Sequence, residues 1–120
     1  MATRKLEKNE WHPFLDGMSK LLLAGKRAEV EVAAIPVGDQ IEAEWLPLLG
    51  IVYDHKDDIV QVILGGPDAH VDHIIQHPRE IYISDDILGL ESILVIDGNG
   101  VEHIVNLRDP LMLPAPAAAH

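Results

Sequence analysis

A chain of 120 residues and 13.2 kDa has room for one hydrophobic core and needs neither disulfide nor metal to hold it; a 48% hydrophobic, 24% charged composition belongs to the ordinary globular range and excludes a disordered chain. The absence of cysteine excludes a disulfide scaffold, thiolate metal sites and a cysteine nucleophile. The net charge of −11 is unevenly placed, with six basic against three acidic residues over 1–27 and three against seventeen over 28–120, so the acidic body repels nucleic-acid phosphates and anionic membranes.

The charged start Arg4-Lys5-Leu6-Glu7-Lys8 is not followed by an apolar stretch, as a signal peptide would require. No apolar run approaches the roughly 20 residues that span a bilayer, so the expected location is the cytoplasm. Trp11, Phe14, Leu15, Met18, Leu21 and Leu22 then recur with the 3.6-residue period of an amphipathic helix over residues 10–24, with Asn9 as N-cap, Pro13 near the first turn and Gly25 at the stop.

After Arg27 the period changes to two. Ala28–Ala33 and Gln40–Trp45 each place apolar side chains on one face and glutamates on the other, the pattern of strands with one wet face. Pro47 predicts a bulge or a strand end, and Leu48–Tyr53 resumes as a strand. Asp54–Asp58 is a charged turn, Ile59–Leu64 a central strand, and Ala69–Gln76 a short second helix stopped by Pro78. Glu80–Ser84, Ser92–Ile96 and Val101–Leu107 read as strands, the last two flanking the tight-turn sequence Asp97-Gly98-Asn99-Gly100. The expected fold is α+β: one domain over residues 1–114, its N-terminal helix packed on a mostly antiparallel, bent sheet or partial barrel of six to seven short strands, with residues 115–120 as a flexible tail.

Three stretches, Gly38-Asp39-Gln40-Ile41-Glu42-Ala43-Glu44-Trp45-Leu46-Pro47-Leu48-Leu49-Gly50, His77-Pro78-Arg79-Glu80-Ile81-Tyr82 and Leu107-Arg108-Asp109-Pro110-Leu111-Met112-Leu113-Pro114, together with the start Arg4–Lys8, give the chain its likeness to known sequences. Over nearly its whole length it resembles a bacterial family of short proteins catalogued as a domain of unknown function. The resemblance implies a stand-alone bacterial cytoplasmic domain and transfers no catalytic residues.

Three constellations offer chemistry. His70, His73 and His77 would form one stripe on a helix, where imidazole nitrogens could chelate zinc or another divalent transition metal, with Asp68 or Asp72 adding a carboxylate. Against this stand the proline after His77 and the lack of a zinc-binding motif. Arg79 and Arg108, two of the three basic residues in the acidic body, suit either structural ion pairs or an anion site. Trp45, Leu48, Leu49, Leu111, Met112 and Leu113 exceed what a short core obviously needs and suggest a contact surface. Asp54–Asp58 lacks the ligand spacing of a calcium loop, Gly65-Gly66 lacks the lysine of a phosphate loop, and the serines lack a nucleophile-elbow context. The first functional expectation is therefore a non-enzymatic protein-interaction module acting as a homodimer. Metal binding through the histidines is the alternative. A small-molecule enzyme is the third reading and would need His or Asp side chains pointing inward.

Overall fold

A computed structural model describes residues 2–21, 27–34, 38–65, 70–86 and 89–108. Eight strands and one helix follow in the order β1 (Ala2–Leu6), α1 (Lys8–Leu21), β2 (Arg27–Ala34), β3 (Gly38–Asp54), β4 (Ile59–Gly65), β5 (His70–Gln76), β6 (Pro78–Asp86), β7 (Gly89–Asp97) and β8 (Glu102–Arg108). All pairings are antiparallel, in the spatial order β1-β6-β7-β8-β2-β3-β4-β5. The expected α+β class and antiparallel sheet are present, with more strands and one described helix.

The 17-residue strand β3 belongs to two ladders. Its first part pairs with β2 as far as Pro47, opposite Arg27, and its second pairs with β4 from Leu48 onward. Pro47 therefore marks a change of partner within one strand, not an end. Two residues on, the Leu48/Gly50 register shift sets Leu49 outside the ladder and 49% exposed. A bulge bends a strand, and the bend turns β3–β4–β5 over the remaining strands until β5 approaches β7.

The core fills the space between these two layers. Inward side chains follow the two-residue period of a strand, broken in β3 by the bulge: Leu48, Ile51 and Tyr53 from β3, Val60, Val62 and Leu64 from β4, Ile75 from β5, Ile81 and Ile83 from β6, and Ile93 and Val95 from β7. Trp11, Leu15 and Met18 of α1 complete it, as their helical spacing requires. The helix opens two residues earlier than expected: Glu7 is the cap, its N–H donating to Glu10 Oε1 at 2.8 Å, half of a capping box, and Asn9 lies inside the helix.

The helix has a second task. Because β2 leaves β3 at Pro47, the following residues of β3 have strand β4 on one side only. The Ser19 hydroxyl there donates to the Ile51 carbonyl at 2.8 Å and accepts from the Ile51 N–H at 3.1 Å, and His12 Nδ1 reaches within 3.5 Å of the Tyr53 carbonyl oxygen. One serine thus stands where a neighbouring strand would be. Ser19→Ala leaves both backbone groups of Ile51 unanswered in a half-buried seam, and the expected loss is about 2 kcal/mol by urea unfolding; a loss below roughly 0.5 kcal/mol, as for an ordinary surface change, would show that water replaces the hydroxyl.

The expected second helix is a strand. Every residue from His70 to Gln76 faces a partner on β4, from Gly65 back to Ile59. Val71, Ile74 and Ile75 have helical spacing, but all three are β-branched and suit a pleated ladder better than a helix. Among the described residues no helix is long and apolar enough to cross a membrane.

Candidate functional site

Inward positions at one end of the apolar interlayer space carry polar side chains. On β8, His103 alternates with the buried Val105 and stands between Val95 of β7 and Val32 of β2, with 7% of its surface exposed. Asp97, the last residue of β7, has the same parity as Ile93 and Val95. From the opposite layer, β5 contributes His73, paired with the buried Val62.

These three form a chain. His103 Nε2 lies 2.9 Å from Asp97 Oδ2, and His103 Nδ1 lies 3.0 Å from His73 Nε2. The imidazole rings are tilted at 50° with centroids 5.2 Å apart. Burial pushes the Asp97 carboxyl up, but the bond from His103 and the N–H groups of Asn99 and Val101 outweigh it and hold the group below its ordinary value. An ionised carboxylate only accepts, so His103 carries its proton on Nε2. In the neutral ring Nδ1 is then an acceptor and His73 Nε2 the donor. Such a carboxylate–imidazole–imidazole chain can hold a proton or transmit one, and it supplies the inward His and Asp that an enzyme reading asks for.

Asp97 is fixed by the turn it begins. Its Oδ1 accepts from Asn99 N–H at 2.8 Å and Val101 N–H at 3.1 Å, and Gly100 takes the left-handed φ of +80° that glycine allows without penalty. The expected tight turn is therefore also the anchor of the polar chain.

A second cluster lies beside it. Tyr53 donates to Asp58 Oδ1 at 2.9 Å, and His77 Nδ1 lies 3.3 Å from Asp58 Oδ2. The His77 N–H also donates to the Asp58 carbonyl at 2.8 Å. Asp58 and His77 both have φ of 54°, a left-handed conformation that Asp and His adopt more readily than most residues. His77 is the single residue joining β5 to β6, and a side-chain carbon built on Gly98 would lie 3.4 Å from its Cβ, so this cluster abuts the β7–β8 turn. Burial, then the bond to Asp58 and the charges of Asp58 and Asp54, push the Tyr53 hydroxyl up to about 12. The same bond is the main cause that lowers Asp58. Lys8 Nζ stands 5.0 Å from the Trp11 ring centroid and 6.0 Å from that of Tyr53, and Trp11 meets Tyr53 edge-on at 5.2 Å.

The expected histidine stripe is rearranged by the strand. Positions 70 and 73 differ by an odd number and face opposite sides of β5; the His70 side chain lies outside the described ones. His73 turns to His103, while His77 turns to Asp58. Among the described residues no group of three or more His, Asp or Glu side chains is placed to hold a metal ion. Arg79 is exposed beside Pro78, which pairs with Asp97, whereas the backbone of Arg108 pairs with Arg27 at the far end of β8; the two arginines sit at opposite ends of the sheet. Leu48, expected on a contact surface, is 2% exposed and belongs to the core, while its neighbour Leu49 is at the surface. The Trp45 side chain is not among those described, and Leu111, Met112 and Leu113 lie outside the described residues. Sequence reasoning missed Asp97 and His103 as a pair. The available signal was parity: His103 alternates with Val101 and Val105 in a strand whose odd positions are apolar.

Comparison with known proteins adds kinship without chemistry. The model of a family described as a family of unknown function, DUF5335, matches residues 2–116. An uncharacterized protein of Aquifex aeolicus is 37% identical over 114 residues, covering 95% of this chain and 99% of that protein. No solved structure matches the chain.

Proposed function

The chain belongs to the DUF5335 family, a family of unknown function, and we propose that it works as a protein-interaction module, pairing with a second copy of itself along the outer edge of β5. The observation that carries this reading is the contrast between the two edges of the sheet. Edge strand β1 bears Arg4 and Lys5, both exposed, and such charges blunt an edge against strand addition. Edge strand β5 bears no lysine, arginine or proline, and it exposes Val71 and Ile74 at 39% and 48%.

The hydrogen-bond alternation supports an outward-facing ladder there. Ile51 sends its backbone groups to Ser19, away from β4. In an antiparallel sheet the next narrow pair is then Val62 with His73, which points the N–H and C=O of Asp72 and Ile74 outward. A second β5 running the other way meets these groups about a two-fold axis, the self-complementary arrangement of a homodimer. The net charge of −11 opposes association, so salt should favour it.

Light scattering of the concentrated chain in high salt tests this. The expected mass is about twice 13.2 kDa, falling to one chain in Ile74→Lys, which adds an edge charge, and in Ile74→Pro, which removes an outward N–H. A single-chain mass for the wild type at high concentration and high salt would sink the reading.

A further inference from the structure

We propose that His73 and His103 form a binding site for a divalent transition-metal ion across the two layers of the fold, with Asp97 as its outer-shell carboxylate. The site differs from the histidine stripe read along the sequence: it joins β5 to β8 and uses one nitrogen from each. It stands independently of the dimer.

The first support is convergence. His73 Nε2 and His103 Nδ1 face each other at 3.0 Å. Two imidazoles bound to one tetrahedral ion at about 2.0–2.1 Å bring their nitrogens to roughly 3.3 Å of one another. The rings need to part by only a few tenths of an ångström. The ion takes the place of the proton now shared between the nitrogens; His73 keeps one proton by becoming the Nδ1–H tautomer, so its Nε2 offers a lone pair.

The second support is the tautomer of His103. Asp97 accepts from Nε2–H at 2.9 Å, which presents the Nδ1 lone pair to His73 in advance. A carboxylate holding the far N–H of a ligating histidine is the usual outer-shell arrangement of metal sites, where it orients the ring and raises its basicity. Here the carboxylate is itself held by two turn N–H groups, so the orientation is fixed without any ion.

The third support is placement. His103 is buried between valines, while His73 is only half-buried, leaving a route for the ion and for the water ligands that complete its shell. Two nitrogen donors select borderline cations such as copper, nickel and zinc over magnesium or calcium, which want oxygen. Copper should bind tightest of the three.

Calorimetric titration of the full chain with Cu2+, Ni2+, Zn2+ and Mg2+ at slightly alkaline pH tests the proposal, with Cu2+ paramagnetic resonance reporting ligand nitrogens. The expected result is one equivalent of Cu2+ with two imidazole nitrogens, and no heat with Mg2+. His73→Gln and His103→Gln should each weaken binding at least tenfold. Asp97→Asn should weaken it about tenfold, the usual cost of losing an outer-shell partner, and His55→Gln and His77→Gln should leave it unchanged. Circular dichroism checks that each variant folds, and the half-buried His73 variant keeps the test valid if His103→Gln does not. No Cu2+ binding by the wild type, binding that survives His73→Gln, or binding abolished by His77→Gln with His103→Gln still competent would each overturn the site.

Discussion

Trp11→Ala is expected to lower the free energy of unfolding by about 3–5 kcal/mol, read as a fall in the urea midpoint at unchanged slope. The indole is 2% exposed, meets Tyr53 edge-on at 5.2 Å, and sends its N–H toward the Leu6 carbonyl at 3.4 Å. Truncation therefore removes core volume, an aromatic contact and the link between β1 and α1 together. It also loosens the helix that covers the free side of β3. The variant should aggregate at concentrations where the wild type does not, since an uncovered strand edge is a template for pairing with other chains. An unfolding free energy within about 1 kcal/mol of the wild type would mean that α1 is not what seals the core.

Tyr53→Phe should abolish an alkaline loss of stability. The hydroxyl is held at about 12 in the fold against 10.0 in a free tyrosine, so the folded state disfavours the phenolate. The stabilisation of the neutral form is complete below pH 10 and is lost as pH rises from 10 to about 12, where the unfolded chain has released the proton and the folded chain has not. A shift of this size corresponds to about 2–3 kcal/mol. Unfolding free energies of wild type and variant across that window should converge at its upper end, because the variant lacks this titration. At the acid end the wild type keeps the Asp58 contribution above about pH 4 and loses it as pH falls through the lowered folded value. The variant lacks the bond that is the main cause of that lowering, so its acid limb should be shallower. Parallel curves for the two proteins at high pH would refute the assigned role of the hydroxyl.

Much of the architecture was legible because it follows from periodicity. The Trp11–Leu15–Met18 stripe and the alternation in Ala28–Ala33 are local patterns with one low-energy reading, Ile59–Leu64 and Ser92–Ile96 are apolar runs of strand length, and Asp97-Gly98-Asn99-Gly100 is a turn by conformational necessity. The misreadings have local causes too. In β1, Arg4 and Lys5 mask a strand of whose described side chains only Leu6 enters the core. In β5, two adjacent isoleucines and a valine three positions earlier imitate a helix face, and only the ladder with β4 decides between the periods. Pro47, which predicts a bulge or a strand end because a proline cannot donate, stands where β3 changes partners, just before the Leu48/Gly50 bulge. The candidate site was the least legible part. His73, Asp97 and His103 come from β5, β7 and β8, and only the folding of one layer over the other brings them to one point.

The seventeen residues of β3 have a consequence for how the molecule comes apart. One continuous segment is the shared rail of both layers, so neither layer keeps a complete set of neighbours when the other melts. Loss of order should therefore spread through the whole domain as one event, and the chain cannot be cut at Pro47 into two pieces that each retain their shape.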